Sequence, residues 1–199
     1  MNGSDYPTRP AVLRCGRCGR ITDWKEARVQ IVCGCRAYLE LPPPLVREAV
    51  PADRGRALEI FEREFGGRQL VASGQPVSLT NTDLLVAETE GGITGALAWR
   101  RVDGAFHIVA LATDPLWQRS GVGGYLLAEA ELLARRHMLP RVLVTVSNDN
   151  IPALYFYQRR GYRLDAVLRD SIASQPRNRD LIGFADIPIR DEIQLSKEL

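Results

Sequence analysis

The chain has 199 residues, four cysteines and a formal net charge of +2, with 45% hydrophobic and 25% charged residues. This length and composition suit one well-buried domain of about 150 residues with a small appendage. The charge is too small to indicate nucleic-acid binding by itself, and no apolar run approaches the roughly 18 residues of a membrane span or forms the core of a signal peptide. We therefore expect a cytoplasmic protein that does not insert into a membrane.

All of the cysteines lie near the amino terminus, where Cys15 pairs with Cys18 and Cys33 with Cys35. Two such pairs on either side of a strand-like segment are typical of a zinc ribbon, in which each tight turn presents two thiolates to one tetrahedral ion. The second pair has one intervening residue where ribbons usually have two, which affects the expected ligand geometry but not the ligands. Two disulfide bonds are the alternative. Residues 1–41 are thus predicted to form a ribbon-like module with a structural zinc ion.

A proline run at residues 42–44 predicts a stiff linker and a domain boundary. We expect one further domain over residues 45–199. It should begin with a strand at 45–50 and a helix at 54–65, whose apolar residues keep helical spacing. Residues 67–82 have a poor pattern, so only a loop or a short helix is expected there.

Three strand-like runs then follow, at 84–89, 93–101 and 105–113, with glycine-containing turn signals between them. They predict an antiparallel meander. A helix over 124–137 and a β-branched strand at 142–146 come next. Because a strand, a helix and a second strand form a crossover unit, the strands on either side of this helix should run parallel.

The last predicted elements are a helix at 152–160 and two closing strands at 162–168 and 188–195. A polar connection at 171–186 is long enough to fold over a site. The elements together predict an α+β domain. Its central sheet should be mixed and mostly antiparallel, with one parallel pair in a βαβ crossover.

A glycine-rich segment, Gln-Arg-Ser-Gly-Val-Gly-Gly at residues 118–124, lies between the third meander strand and the long helix. Glycines let backbone N–H groups converge, and the start of a helix adds unpaired donors and the positive end of its dipole. A pyrophosphate would fit such a site. No Lys-Ser or Lys-Thr follows, as a P-loop requires, and the third glycine of a dinucleotide fingerprint would fall at Leu126. The segment predicts a phosphate-binding loop, with a plain strand-to-helix connection as the alternative.

A second motif occupies residues 150–162 and reads Asn-Ile-Pro-Ala-Leu-Tyr-Phe-Tyr-Gln-Arg-Arg-Gly-Tyr. In order and separation, Gln-x-x-Gly-x-Gly followed by Asn-x-x-Ala-x-x-Phe-Tyr-x-x-x-Gly-Tyr resembles the two signatures of the GNAT superfamily of acyl-CoA-dependent N-acyltransferases. The resemblance covers the chain from about residue 45 onward. It implies the GNAT fold and the direct transfer of an acetyl group from acetyl-CoA to a primary amine in a ternary complex.

The resemblance also implies which residues bind acetyl-CoA. The strand end before the loop would pair its backbone with the pantetheine arm, and an N–H near Leu111 would polarise the thioester carbonyl. The loop would hold the pyrophosphate through its N–H groups, and Asn150 matches the asparagine of the second signature, with helix capping as its alternative role. The implied cofactor-binding residues are Leu111, Ala112, Thr113, Gln118, Arg119, Ser120, Gly121, Val122, Gly123, Gly124 and Asn150.

Tyr157 matches the general-acid position of the family. A phenol with an ordinary pKa near 10 stays protonated at neutral pH and can donate to a leaving thiolate. Tyr155 and Tyr162 are weaker candidates for the same role. The sequence does not identify a general base, for which none of the candidates is favoured. These are His107, Glu88, Asp191 and Glu192.

The amine acceptor is also unidentified, and small molecules and peptides both remain open. Acyl-CoA chemistry implies a reducing cytosol, which favours zinc over disulfide bonds in the ribbon. The charge of the ribbon gives no strong footprint for nucleic acid, although its arginines leave a docking role open. The alternative function is a catalytically weak CoA-binding module whose ribbon recruits a protein or RNA partner. The sequence does not distinguish a monomer from a homodimer.

Overall fold

The computed structural model describes residues 12–14, 21–23, 43–89, 91–118, 120–175, 178 and 180–199. The four predicted zinc ligands, Cys15, Cys18, Cys33 and Cys35, lie outside these residues. In this region a short antiparallel pair is described, β1 (Val12–Arg14) with β2 (Ile21–Asp23).

The main domain is built from strands and three α-helices within the described residues. Its strands are β3 (Leu45–Glu48), β4 (Gln69–Ala72), β5 (Gln75–Ser78), β6 (Asp83–Thr89), β7 (Gly92–Val102), β8 (Ala105–Thr113), β9 (Arg141–Ser147), β10 (Arg163–Leu168) and β11 (Glu192–Glu198). Its helices are α1 (Arg54–Phe65), α2 (Val122–Arg136) and α3 (Ile151–Gln158). Over the described residues, no helix is long and apolar enough to cross a membrane.

Seven strands form the central sheet in the order β10-β11-β9-β8-β7-β6-β3. β8 and β9 run parallel, and every other neighbouring pair in this sheet is antiparallel. This confirms the predicted mixed sheet and the parallel pair joined by α2. The βαβ crossover therefore places the glycine-rich segment at the carboxyl end of β8.

Each face of the sheet has its own core. Adjacent residues of β6 point to opposite faces, since Leu85 packs in the core with α2 and Val86 in the core with α1. α2 buries the apolar stripe predicted from the sequence, which consists of Leu126, Leu127, Ala130, Leu133 and Ala134. The α1 face and the α2 face of the sheet are therefore distinct environments, and each candidate site residue can be assigned to one of them.

Two predictions for single segments were wrong or incomplete. Residues 67–82, expected to be a loop or a short helix, contain the β4–β5 hairpin and a 3-10 helix at Leu79–Asn81. The last strand was predicted at 188–195 but begins at Glu192. The side chain of Asn148 holds the preceding segment outside the ladder, because its Oδ1 accepts the N–H of Arg190 at 2.8 Å and its Nδ2 donates to the carbonyl of Pro188 at 2.9 Å.

The pairing between β8 and β9 stops before the carboxyl ends of the two strands. Pairing runs only from Phe106 opposite Val142 to Ile108 opposite Val144, although both strands continue for several residues. On the other edge of β8 the register shifts, so that Val109 is an extra, bulged residue. A bulge bends its strand and increases the local twist, which turns the end of β8 away from β9. A slit therefore forms between the two strands.

Candidate functional site

A buried ion pair anchors the segment between β8 and α2 to helix α1. Asp114 follows β8 directly and is 2% exposed, and its carboxylate accepts the N–H of Leu116 at 3.0 Å. Its second oxygen accepts a hydrogen bond from Nη2 of Arg56 on α1 at 2.6 Å. The sequence analysis missed both residues, since no local pattern connects a helix arginine with an aspartate 58 positions away.

Three backbone donors of the glycine loop have no acceptor within the described residues. Gly121, at φ 94°, is the N-cap of α2, and the N–H of Gly124 donates to its carbonyl at 2.8 Å. The N–H of Ser120 donates to the carbonyl of Trp117 at 3.2 Å. In the described part of the chain, the N–H groups of Gly121, Val122 and Gly123 have no hydrogen-bond acceptor. These three donors, at the positive end of a 15-residue helix, suit an anionic ligand.

Three segments of the chain meet at this loop. A Cβ on Gly123 would lie 3.4 Å from Leu111 of β8 and 3.7 Å from the Phe156 ring of α3. A Cβ on Gly124 would lie 3.2 Å from Nη2 of Arg160. The structure therefore brings the strand end, the loop and α3 together, as both sequence signatures require.

Two predicted cofactor-binding residues use their side chains in contacts within the protein. Gln118 donates through Nε2 to Glu64 at 3.2 Å, on the exposed surface. The side-chain oxygen of Asn150 accepts the N–H of Ala153 at 3.0 Å, so this residue caps α3. Arg119 lies outside the described residues.

Gly95 was not singled out in the sequence, although it lies beneath the start of α2. A Cβ at this position of β7 would lie 2.8 Å from Val122 and 3.1 Å from Leu126. It would also lie 3.2 Å from the carbonyl oxygen of Ala112 on β8. An isolated glycine inside a strand often marks such a close approach, and this was the available signal.

We expect Gly95→Ala to lower the free energy of unfolding by about 1–3 kcal/mol, because an added methyl group forces α2 away from the sheet. The same displacement should weaken ligand binding at the glycine loop. Chemical denaturation measures the first effect. Gly67→Ala is the matched control, since a Cβ there meets no atom within 4 Å. Equal stability of the two variants would contradict the close-packing role of Gly95.

Tyr157 is buried on α3, in the core that contains α2. Its ring packs edge-on against Phe156 at 5.1 Å and against Tyr162 at 5.4 Å between ring centroids. Burial raises the pKa of Tyr157 above its ordinary value, and the charge of Arg160 opposes this only in part. The phenol therefore stays protonated across the physiological range.

The two alternative tyrosines have hydroxyl groups with partners. Tyr155 is 61% exposed and accepts a hydrogen bond from Nη1 of Arg159 at 3.0 Å. Tyr162 donates to Glu131 of α2 at 3.2 Å, and burial, with the nearby negative charge, raises its pKa. These contacts favour Tyr157 over both as a donor to a ligand.

A groove of about 210 Å³ runs along the start of α2, and its lining residues are Gly124, Leu127, Ala128, Glu131, Arg160 and Lys197. The Arg160 guanidinium lies 3.8 Å from the Phe156 ring centroid and donates to the Phe156 carbonyl at 2.9 Å. Lys197 is neutralised by Glu131 at 2.8 Å. Arg160 thus adds positive charge beside the glycine loop.

Three of the candidate bases have contacts that limit their roles. His107 is fully buried in β8, and desolvation, with a contribution from the charge of Arg100, lowers its pKa to about 4. Glu88 forms an ion pair with Arg47 at 2.8 Å. Asp191 accepts a backbone N–H at 2.7 Å. Of these three, only His107 lies on a strand that borders the slit.

Comparison with known proteins gives a consistent picture. The family model described as "Acetyltransferase (GNAT) domain" matches residues 80–164. The uncharacterised protein YxbD of Bacillus subtilis (strain 168) is 32% identical over 157 residues, which cover 75% of this chain and 94% of YxbD.

Solved structures share the fold at lower identity. An acetyltransferase from Bacillus subtilis in complex with CoA has a TM-score of 0.61 at 17% identity, over 78% of this chain and 99% of that one. A GNAT family acetyltransferase from Elizabethkingia anophelis with acetyl-CoA bound has a TM-score of 0.61 at 20% identity, over 80% of this chain and 100% of that one. From the family model and from a relative that is 32% identical over three quarters of this chain, the chain belongs to the GNAT acetyltransferase family.

Proposed function

We propose that this protein transfers an acetyl group from acetyl-CoA to a primary amine. The observation that carries the proposal is the slit between β8 and β9. It opens beside three N–H groups at the start of α2 that have no acceptor among the described residues. A donor with a long amide-containing arm and a pyrophosphate fits both parts at once. The CoA and acetyl-CoA complexes among proteins of the same fold support this assignment.

The donor would be held mainly by backbone. The N–H groups of Gly121, Val122 and Gly123 would bind the pyrophosphate, with the helix dipole adding to the attraction. The slit-facing edge of Leu111–Thr113 lies beyond the paired part of β8, so its peptide groups remain for the amides of the pantetheine arm. An N–H near Leu111 would then stabilise the charge that develops on the thioester oxygen.

The chemical step needs a neutral amine and a proton for the leaving sulfur. The amine nitrogen attacks the thioester carbonyl carbon, the C–N bond forms, and the C–S bond breaks as the tetrahedral intermediate collapses. Tyr157 would donate its phenolic proton to the departing thiolate. The attacking nitrogen would lose one proton, so the number of protons is conserved in the step. The products are the acetylated amine and CoA as its thiol.

A panel of primary amines, with release of free CoA as the readout, tests this function. We expect acetyl-CoA to raise the melting temperature by binding the folded state, and at least one amine class to release CoA above the rate of hydrolysis. Thermal stabilisation without turnover for every amine would favour the CoA-binding module. Absence of any stabilisation by acetyl-CoA would contradict the proposal.

The four cysteines are proposed to bind one structural zinc ion, from their spacing alone. Four thiolates close the coordination sphere, so the ion would have no open position for substrate. We expect about one zinc per chain in protein purified without chelator, measured by elemental analysis, and less than about 0.3 would contradict the assignment. Because prolines separate the two modules, Cys18→Ser should leave acetyl-CoA affinity largely unchanged.

A further inference from the structure

The α1 face of the sheet carries a polar cluster at the slit, which we define as Arg100, His107, Thr145 and Glu192. His107 and Glu192 are buried, and Arg100 and Thr145 are partly buried. Arg100 lies directly opposite His107 in the ladder, and His107 Nε2 is 3.5 Å from Thr145 Oγ1. Thr145 lies directly opposite Gln194 of β11, so the two side chains are on the same face of the sheet. Glu192 is two residues from Gln194 on β11 and therefore shares that face. The opposite face of the same strands is apolar and packs in the core with α2.

Several polar atoms of this region lack partners. Ser73 Oγ, Arg100 Nε and His107 Nδ1 are buried and have no hydrogen-bond partner in the described part of the chain. Buried polar groups are almost always satisfied by protein or by water. Arg100 and Glu192 also have no opposite charge within 4 Å among the described residues. The cluster therefore resembles a binding site for a polar ligand more than a structural core.

The tip of the β4–β5 hairpin covers this polar cluster with two consecutive peptide groups. Arg100 Nη2 donates to the carbonyl of Ala72 at 3.3 Å, and the next N–H, that of Ser73, donates to Glu192 Oε1 at 3.0 Å. Gly74 donates to the other carboxylate oxygen at 2.7 Å. Since the O and N atoms of one peptide are about 2.3 Å apart, the guanidinium and the carboxylate lie within roughly 9 Å of each other.

We propose that this polar cluster is the acceptor site, and that it takes a small amine that also carries a carboxylate, as a free α-amino acid does. The inference rests on the proposed acetyl transfer. The carboxylate of the acceptor would replace the Ala72 carbonyl on Arg100, and its ammonium group would replace the hairpin N–H groups on Glu192. The spacing of the two groups in an α-amino acid is comparable to that of the peptide they would displace.

The position of the polar cluster fits the chemistry. His107 precedes the Val109 bulge, and Thr145 follows the last paired residue of β9, so the cluster borders the slit on the α1 face. Tyr157 packs on the α2 face. The amine would therefore attack from one face while the thiolate leaves towards the other, which avoids a collision between acceptor and leaving group.

Proton balance follows from the same arrangement. The ammonium loses one proton to Glu192, which passes it to solvent, and the neutral nitrogen attacks. The second nitrogen proton, lost as the C–S bond breaks, replaces the proton that Tyr157 gives to the thiolate. The overall products are the acetylated amino acid, CoA thiol and one proton. His107 contributes an uncharged hydrogen-bonding group between the two charged ends.

Matched acceptors test the inference with acetyl-CoA as the donor. The first set is leucine, leucinamide and isoamylamine, and the second is phenylalanine, phenylalaninamide and phenethylamine. Within each set the side chain is the same, and the carboxylate is replaced by an amide or by hydrogen. We expect kcat/KM for the free acid to exceed that of the amide and the amine by about tenfold or more, because a charge-assisted bond to Arg100 is lost in the others.

Two variants test whether Arg100 causes the preference for the free acid. Arg100→Gln should reduce the ratio of free acid to amide to within about twofold, whereas Arg101→Gln, an exposed neighbour, should leave it unchanged. A ratio measured within one protein is insensitive to a general loss of hairpin stability. An equal kcat/KM for acid and amide in the wild type, or a preference that survives Arg100→Gln, would overturn the inference.

A binding measurement separates this inference from the proposed function. Calorimetric titration of leucine and of phenylalanine into the CoA-loaded protein should show binding that leucinamide lacks. If acetyl-CoA binds but neither free acid binds or reacts, the acceptor assignment fails while acetyl transfer stands. If acetyl-CoA does not bind, acetyl transfer fails, and titration of the amino acids into the protein alone still decides whether the polar cluster is a site.

Discussion

The Gly121→Val protein is expected to fold but to lose acetyl-CoA affinity by about 100-fold or more. Gly121 has φ 94°, a conformation that a β-branched residue adopts only at a considerable energetic cost. Space is not the limit, since the nearest atom to an added Cβ is Tyr125 Cε2 at 3.9 Å. Valine should therefore shift the backbone and turn the N–H groups of residues 121–123 away from their common point. Calorimetric titration with acetyl-CoA measures the effect.

Gly104→Val is a close control for this variant. Gly104 has φ 73° and open space around its Cβ position, but it lies in the turn between β7 and β8. Both variants should lose stability through the same backbone strain, and only Gly121→Val should lose the ligand. A folded Gly121→Val protein with unchanged acetyl-CoA affinity would remove the basis of the phosphate-loop assignment.

Tyr157→Phe is expected to lower turnover by roughly 10- to 1000-fold with little change in acetyl-CoA affinity, as for a group that acts mainly in the transition state. Phenylalanine keeps the edge-on contacts with Phe156 and Tyr162, so the α2 core should remain intact. Only the proton donor is removed. Steady-state rates and calorimetric affinity, measured on the same protein, separate the two effects.

Tyr155→Phe serves as the comparison for this variant. Its hydroxyl is exposed and bonded to Arg159, so turnover should change by less than about threefold. Turnover of Tyr157→Phe equal to that of the wild type at every pH, with chemistry shown to limit the rate, would exclude Tyr157 as the acid. A large loss in Tyr155→Phe alone would transfer the role to that residue.

The elements that sequence reasoning placed correctly are those with a strong local pattern. The strands β6, β7 and β8 alternate or are continuously apolar and are separated by turn residues, and α2 has a clear apolar stripe. The parallel pairing of β8 and β9 followed from the handedness and connectivity of a crossover helix. The two signatures located the loop and α3 because their residues are contiguous.

The features that could not be predicted from the sequence depend on contacts between residues that are far apart in the chain. β4 and β5 have four residues each, and their hairpin tip is fixed by Glu192, 119 positions from Ser73. The pairing of Arg56 with Asp114 and the packing of Gly95 under α2 are also tertiary. The periodicity of a short window records none of these partners, so the acceptor side of the site appears only in the folded chain.

The bulge at Val109 makes the length of β8 itself a functional requirement. Val109 and Ala110 both face the α1 core, and the extra residue returns Leu111 to the α2 face, beneath Gly123. Deleting one residue here would move every following side chain of β8 to the opposite face. Homologous chains that bind the same donor should therefore tolerate substitutions in this strand far better than insertions or deletions.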